Sequence, residues 1–271
     1  MIIGVDPHKA SHTATALDPA TNTPVSSIRI DASIAGYRQL IRWAAQFEER
    51  RWAIENAKGL GSHLTQWLIA RDEAVVDVAT TATSRVRELS RGGRRKNDVI
   101  DASAAASVAA LHGDATVATA DDETTVFALL EERRANLAAQ RVRTVNQLHA
   151  LMRDLTAGGA RVALSANVAA AKLRSVRPST PTGKARKAIA WDLVRDIRAL
   201  DRQLAAIADQ MTVALDDYET SLLEVDGVGP VLATRLLGRT GRPSRFRSAD
   251  AFASYTGSAP IEASSGERVV H

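Results

Sequence analysis

The sequence predicts an α/β domain built on a mixed sheet with helices on its faces, followed by a helical arm and a small, mostly helical C-terminal domain. Two observations predict the first part. Apolar and alternating runs are interleaved with helical periodicities over the first third of the chain, and the first three strand-like runs are joined by short polar turns. A third observation predicts the rest: beyond about Gly113, apolar residues recur at helical spacing over two long stretches.

Ile2 to Asp6 is a short apolar run, and His12 to Leu17 and Val25 to Ile30 alternate as strands do. Asp18, Pro19, Asn22 and Pro24 place a turn between the last two, so the three strands form an antiparallel meander. Ile34, Tyr37, Leu40, Ile41 and Ala44 then recur at helical spacing. Arg51 to Glu55 reads as a strand, Leu60 to Ala70 as a helix, Ala74 to Ala79 as an apolar strand and Asp98 to Leu111 as an alanine-rich helix. An antiparallel start followed by strand–helix–strand crossovers gives a mixed sheet.

In the second part, Val126, Leu130, Leu137, Val145, Leu148, Met152 and Leu155 mark one apolar stripe; Leu193, Ile197, Leu200, Leu204, Ile207, Met211 and Leu215 mark another. Gly158-Gly159 and Pro178 to Gly183 interrupt the pattern between them, which predicts an antiparallel helix pair with a basic, partly irregular tip. We read the pair as an extended coiled-coil arm; ordinary bundle core is the alternative. The expected divisions are 1–115 for the sheet domain, 116–220 for the arm and 221–271 for the C-terminal domain. In the last, Leu222 to Leu237 has the form of a helix-hairpin-helix, with Gly227-Val228-Gly229 as the hairpin and Pro230 opening the second helix.

The 271 residues are long enough to bury a substantial core, at 45% hydrophobic content. There is no cysteine, which excludes disulfides, thiolate zinc sites and a cysteine nucleophile. Any metal must be held by oxygens or by some of the six histidines, and oxygen ligands favour Mg²⁺ or Mn²⁺. The net charge of +4 is small, but the pI of about 9.7 and the clustering of the basic residues favour an acidic polymer as partner. No stretch approaches the roughly 20 apolar residues of a membrane span, and Met1 to Asp6 lacks the charged start of a signal peptide. A soluble, cytoplasmic protein without a leader is expected.

The acidic residues matter by placement. Asp6 closes the first strand, Glu55 closes Trp52-Ala53-Ile54, and Asp98 and Asp101 lie on one face at the start of a helix. A fold that sets the ends of the first and fourth strands side by side would gather all four. Such a cluster needs cations: repulsion and desolvation would otherwise protonate it, whereas two divalent ions about 3.5–4 Å apart would keep it ionised and activate a phosphate oxygen. Taken singly, Asp6 could merely end a strand and Asp98 could favour a helix dipole.

Basic residues adjoin these acids. Arg85, Arg87, Arg91, Arg94, Arg95 and Lys96 lead into Asp98, and Gly92-Gly93 would let that loop follow a phosphodiester backbone. From Leu155 to Trp191 there is no acid, but Arg161, Lys172, Arg174, Arg177, Lys184, Arg186 and Lys187 occur, so the arm's tip is an expected nucleic-acid grip. Gly227 and Gly229 would bring backbone N–H groups to a phosphate, with Arg235, Arg239, Arg242, Arg245 and Arg247 following. A glycine turn that packs two helices is the alternative there. His8 and His12 lie close to Asp6, but their spacing in a strand–turn–strand does not set both rings on one face, and neither is expected as a ligand. Trp43, Trp52, Trp67 and Trp191 are expected as packing anchors.

Taken together, Gly4-Val5-Asp6-Pro7-His8-Lys9, Ile54-Glu55, Lys96-Asn97-Asp98-Val99-Ile100-Asp101-Ala102, Val225-Asp226-Gly227-Val228-Gly229-Pro230, Arg245-Phe246, Tyr255-Thr256-Gly257-Ser258-Ala259-Pro260 and Ser264-Ser265-Gly266 resemble the DEDD transposases of the IS110 group. The resemblance runs the length of the chain, in order. It implies an RNase H-like (RuvC-like) N-terminal domain, a coiled-coil middle and a C-terminal transposase domain. It further implies Asp6, Glu55, Asp98 and Asp101 as ligands of Mg²⁺ (or Mn²⁺), and Ser265, with Ser264 beside it, as a nucleophile that forms a 5′-phosphoserine link. Without the resemblance, Ser264-Ser265-Gly266 reads as a surface turn. DNA, a structured guide (bridge) RNA and further copies of the chain, as a dimer or tetramer, are the implied partners.

Two departures stand out. Six residues follow Ser265, where the family's domain continues through a basic helical region, so a C-terminally shortened member is expected. Asn56-Ala57-Lys58-Gly59 follows Glu55 where the family often has a smaller, uncharged turn with glycine. The competing readings are a RuvC-like nuclease or junction resolvase that uses water in place of Ser265, and a nucleic-acid-binding remnant that has lost its metal.

Overall fold

The computed structural model describes residues 1–89, 97–111, 115–160 and 163–260. It divides into two compact units, Met1–Asp121 and Asp122 onward.

In the first unit, β1 (Ile2–Pro7), β2 (Ser11–Asp18) and β3 (Thr23–Asp31) form the antiparallel meander. After α1 (Ile34–Ala44), β4 (Arg51–Glu55) returns parallel to β1; after α2 (Ser62–Ile69), β5 (Val75–Val78) runs parallel to β4. Then come α3 (Thr80–Leu89), α4 (Asp98–Leu111) and β6 (Thr116–Val117), which pairs antiparallel with β5. The strand order among the described residues is β3-β2-β1-β4-β5-β6. An antiparallel meander whose first strand is extended by two successive parallel crossover strands, β4 and then β5, is the arrangement of an RNase H-like fold.

Alternation along the strands divides the two faces. Ile3, Val5, Ala14, Ala16, Trp52 and Ile54 pack with Tyr37 and Leu40 of α1 and Leu64 and Leu68 of α2. On the opposite face, Ile2, Leu17, Ala53, Val76 and Val78 pack with Ala106 and Val108 of α4. The alanines let α4 lie almost on the backbone of β1: a Cβ built on Gly4 would sit 1.8 Å from the Ala102 carbonyl oxygen. The Thr15 hydroxyl donates to the Val99 carbonyl at 3.4 Å, and the Asn97 side chain accepts from the Val99 N–H at 3.0 Å, fixing the first turn of α4.

In the second unit, α5 (Glu123–Leu155) and α7 (Pro181–Tyr218) run antiparallel, as the pairs Arg133–Gln203, Arg141–Asp201 and Asp154–Arg186 require. Asp122 caps α5 with a reciprocal hydrogen bond to Thr125, and Thr180 caps α7 with Pro181 at its first position. The regular part of the tip is α6 (Ala166–Ser175), whose Ala169, Ala170 and Leu173 pack on Leu148, Met152 and Val194. Two expectations are corrected here. The stripe of α5 includes Phe127, which is buried, and not Val126, which is 48% exposed. The first helix of the expected helix-hairpin-helix is only a 3₁₀ turn, Ser221–Glu224, followed by α8 (Pro230–Thr240). A final helix, α9, spans Ala249–Thr256.

Gly238 of α8 meets α5 so closely that a Cβ there would lie 2.7 Å from the Ala128 nitrogen, and Arg235 pairs with the nearly buried Glu131 at 2.8 Å. No helix among the described residues is long and apolar enough to cross a membrane.

Candidate functional site

Parallel pairing of β1 and β4 sets Val5 opposite Ile54, so Asp6 and Glu55 come one position later on adjacent strands. By strand alternation both fall on the α4 face. The Gly4–Ala102 contact then holds the first turn of α4 over the same strand ends, and that turn carries Asp98 and Asp101.

The side chain of Asp6 is only 13% exposed. Burial pushes its carboxyl up to about 6; the His8 charge pulls it down, while the charges of Glu55, Asp101 and Asp98 raise it further. One ligand atom from each of Asp6, His8 and Asp98 lies within 4.8 Å of the others, a spacing and donor set suited to a cation. His8 Nδ1 is 3.7 Å from Asp6 Oδ2. The histidine was not expected there; the spacing Asp6-x-His8 across the end of β1 is the signal that would have found it.

Two of the acids also meet arginines. Arg87 of α3 donates to the buried Asp101 at 2.5 Å, and Arg29 of β3 lies 3.7 Å from Asp98. Arg87 was read from sequence only as part of a basic run. A helix over Thr80–Leu89 directs it back to α4. The turn after Glu55 is held by Asp77, which accepts from the Ala57 N–H at 2.8 Å, and Asn56 takes a positive φ of 51°.

The expected nucleic-acid residues are distributed differently. Arg91, Arg94, Arg95 and Lys96, and Ser264 and Ser265, lie outside the described residues. At the tip, Arg186 pairs with Asp154 at 3.2 Å and Lys187 donates to the Val176 carbonyl at 2.8 Å, so both hold the tip together, while Lys184 is exposed. Gly227 has a φ of +83°, and Gly229 precedes α8 as an N-cap without a side-chain bond, which leaves the turn open on its outer side. The Arg245 guanidinium lies 4.6 Å from the ring centres of both Phe246 and Tyr255.

Residues 3–156 match the family of IS110-type DEDD transposases, described as a transposase, and residues 219–271 match the transposase IS116/IS110/IS902 family. The insertion element IS116 uncharacterized 44.8 kDa protein of Streptomyces clavuligerus is 26% identical, over 98% of this chain and 77% of that protein. A mini-circle protein of Streptomyces coelicolor, named as a transposase for IS117, is 25% identical over the same shares. Among solved structures, T. thermophilus RuvC in complex with a Holliday junction substrate aligns with 43% of this chain and 98% of its own. That alignment has 12% sequence identity and a TM-score of 0.34.

Proposed function

The chain belongs to the IS110-type DEDD transposase family, and on that premise we propose that it cuts and rejoins DNA strands at a site for two divalent cations, with Ser265 as nucleophile and a structured bridge RNA selecting the DNA. The observation that carries this reading is the meeting of Asp6, His8 and Asp98, with Glu55 and Asp101 close enough to act on the charge of Asp6. Asp6, Glu55, Asp98 and Asp101 would hold Mg²⁺ or Mn²⁺, and His8 would ligate or orient beside them. Bound there, such ions supply Lewis-acid stabilisation of charge on a phosphate and on the oxygen that leaves it.

The protein's part is placement. The packing of α4 on Gly4 sets two carboxylates from a helix against two from adjacent strand ends. In the proposed step, the Ser265 hydroxyl oxygen bonds to phosphorus and the bond to the 3′ oxygen breaks. That oxygen leaves as a hydroxyl carrying the proton balance, and a 5′-phosphoserine remains. Attack by a different 3′ hydroxyl reverses the chemistry on a new partner strand, so no bond energy is lost. Lys184, Gly227, Gly229 and Arg245, and the segment with Arg91, Arg94, Arg95 and Lys96, would hold phosphates of DNA and RNA. A homo-oligomer would let the serine of one copy act with the carboxylates of another.

The test is a cleavage assay with DNA carrying the element's ends, RNA transcribed from its flanks, and Mn²⁺. A covalent protein–DNA adduct on a denaturing gel, lost in Ser265→Ala and in Asp6→Asn, is expected. Nicking without an adduct would instead identify a hydrolytic nuclease. Nucleic-acid binding without any calorimetric Mn²⁺ signal would identify a remnant.

A further inference from the structure

A second recess lies on the other face of the sheet from the carboxylates, at the same strand end. It is a cavity of about 800 Å³, within the range that accepts an organic ligand. Tyr37 and His12 form its floor: both are nearly buried, their rings are stacked with centres 5.7 Å apart, and Tyr37 Oη lies 3.3 Å from His12 Nε2. His63 of α2 stands over Tyr37 at 5.6 Å with its own ring exposed, and Ile34 and Leu60 expose 42% and 52% of their surface at the rim. Lys9 brings a positive charge, and His8, which approaches Asp6 and Asp98 on one side, lines the recess on the other.

We propose that this recess receives an unstacked base of the DNA strand whose neighbouring phosphate occupies the carboxylate site, with the exposed His63 ring, backed by Tyr37, as the stacking surface and Lys9 on the flanking phosphate. The proposal rests on the reading of the carboxylate cluster as the cleavage site. Three observations select this occupant. The exposed His63 ring and the aliphatic surface of Ile34 and Leu60 are bordered by the polar groups of Ser33, Ser62, Gln66 and Asp121, a flat apolar surface edged by donors and acceptors that suits a heteroaromatic base better than a hydrated ion. Among the described lining residues Lys9 carries the one full positive charge, exposed at the β1–β2 end beside His8, where a nucleotide would carry its phosphate, while Asp121 lines the recess as well and could accept from a base amino group. The shared His8 makes the recess continuous with the place where a phosphate would react.

The stacking contact predicts a measurable loss, since base–aromatic stacking is worth about 1–3 kcal/mol per base, or roughly 5- to 150-fold in affinity. The probe is a 12-nucleotide single-stranded DNA of mixed sequence with one 2-aminopurine, bound by the full chain in Ca²⁺, with abasic and RNA versions beside it. Binding should change the 2-aminopurine fluorescence at one or two positions. An abasic residue there should weaken binding at least 5-fold, and His63→Ala should weaken the intact DNA by a similar factor without further weakening the abasic DNA. His63→Phe should restore it. Calorimetry with Mn²⁺ on each variant separates the two claims. If intact and abasic DNA bind alike and His63→Ala is neutral, while Mn²⁺ binding persists, the base site is wrong and the cleavage site stands. If neither Mn²⁺ nor DNA binds, both fail. Preference of the recess for the RNA probe would overturn DNA as its occupant.

Discussion

Gly4 lies so close beneath Ala102 that a methyl group on its α-carbon would fall 1.8 Å from the Ala102 carbonyl oxygen and 2.7 Å from the Ala106 nitrogen. Both atoms are backbone, so neither can rotate away. Gly4→Ala must therefore lift α4 from β1, and with it Asp98 and Asp101. Overpacking typically costs about 1–3 kcal/mol, and rigid backbone on both sides places this variant at or above the upper end. Thermal unfolding should show that loss, and calorimetry should show Mn²⁺ affinity falling at least tenfold. Unchanged affinity would mean that α4 contributes no ligand.

Asp6 has opposite effects on stability and function. It is nearly buried among like charges, so replacing it removes repulsion as well as the proposed ligand. Asp6→Asn should raise the ion-free unfolding midpoint while abolishing the increase that Mn²⁺ gives the natural protein, and strand cleavage should fall below detection. A stabilisation by Mn²⁺ that survives Asp6→Asn would place the cation elsewhere.

The elements that alternate or repeat strongly were legible in the sequence. Arg51 to Glu55 is a strand as expected, and α1 spans Ile34–Ala44, because each has one apolar face and clear polar ends. Elements without that contrast escaped. The helix Thr80–Leu89 contains three threonines and three further charged residues, and Ala166–Ser175 offers little beyond alanine to mark a face. Thr116–Val117 is two residues long and exists by pairing with β5. At the site, Asp6 and Glu55 could be named as candidates because carboxylates at apolar strand ends stand out, and Asp98 and Asp101 because they share one face at the start of a helix. His8 was visible beside Asp6 but not expected as a ligand, since its reach depends on how the chain leaves β1, and Arg87 was legible only as part of a basic run, because its helix left no apolar stripe.

The pH dependence of stability follows from Asp6, whose pKa is pushed to about 6, first by burial. A carboxyl with a folded pKa above its unfolded value of about 3.9 binds its proton more tightly when folded. Its stabilising contribution is therefore complete below about pH 3.9 and is lost as pH rises through about 6. The loss at neutral pH is on the order of 2–3 kcal/mol. Urea unfolding without divalent ions should show this decline between about pH 4 and 6, and Asp6→Asn should remove it. Because proton and cation compete for the same carboxylate, Mn²⁺ affinity should rise over the same interval. A decline that persists in Asp6→Asn would assign it to another group.

Arg87 gives the cation a rival. Its guanidinium neutralises the nearly buried Asp101 at 2.5 Å in the ion-free protein. Arg87→Gln keeps a donor but removes the charge, leaving Asp101 beside Asp6 with less compensation. Leaving a buried charged partner unmatched costs about 1–3 kcal/mol, and partial exposure of the pair favours the lower part of that range. The variant should thus be less stable than the natural protein without divalent ions. A bound cation takes over the role of the lost guanidinium, so the stabilisation by saturating Mn²⁺ should be larger in Arg87→Gln than in the natural protein. Differential scanning fluorimetry across a Mn²⁺ series measures both quantities. Equal increments in the two proteins would show that Asp101 serves Arg87 alone and takes no part in holding the ion.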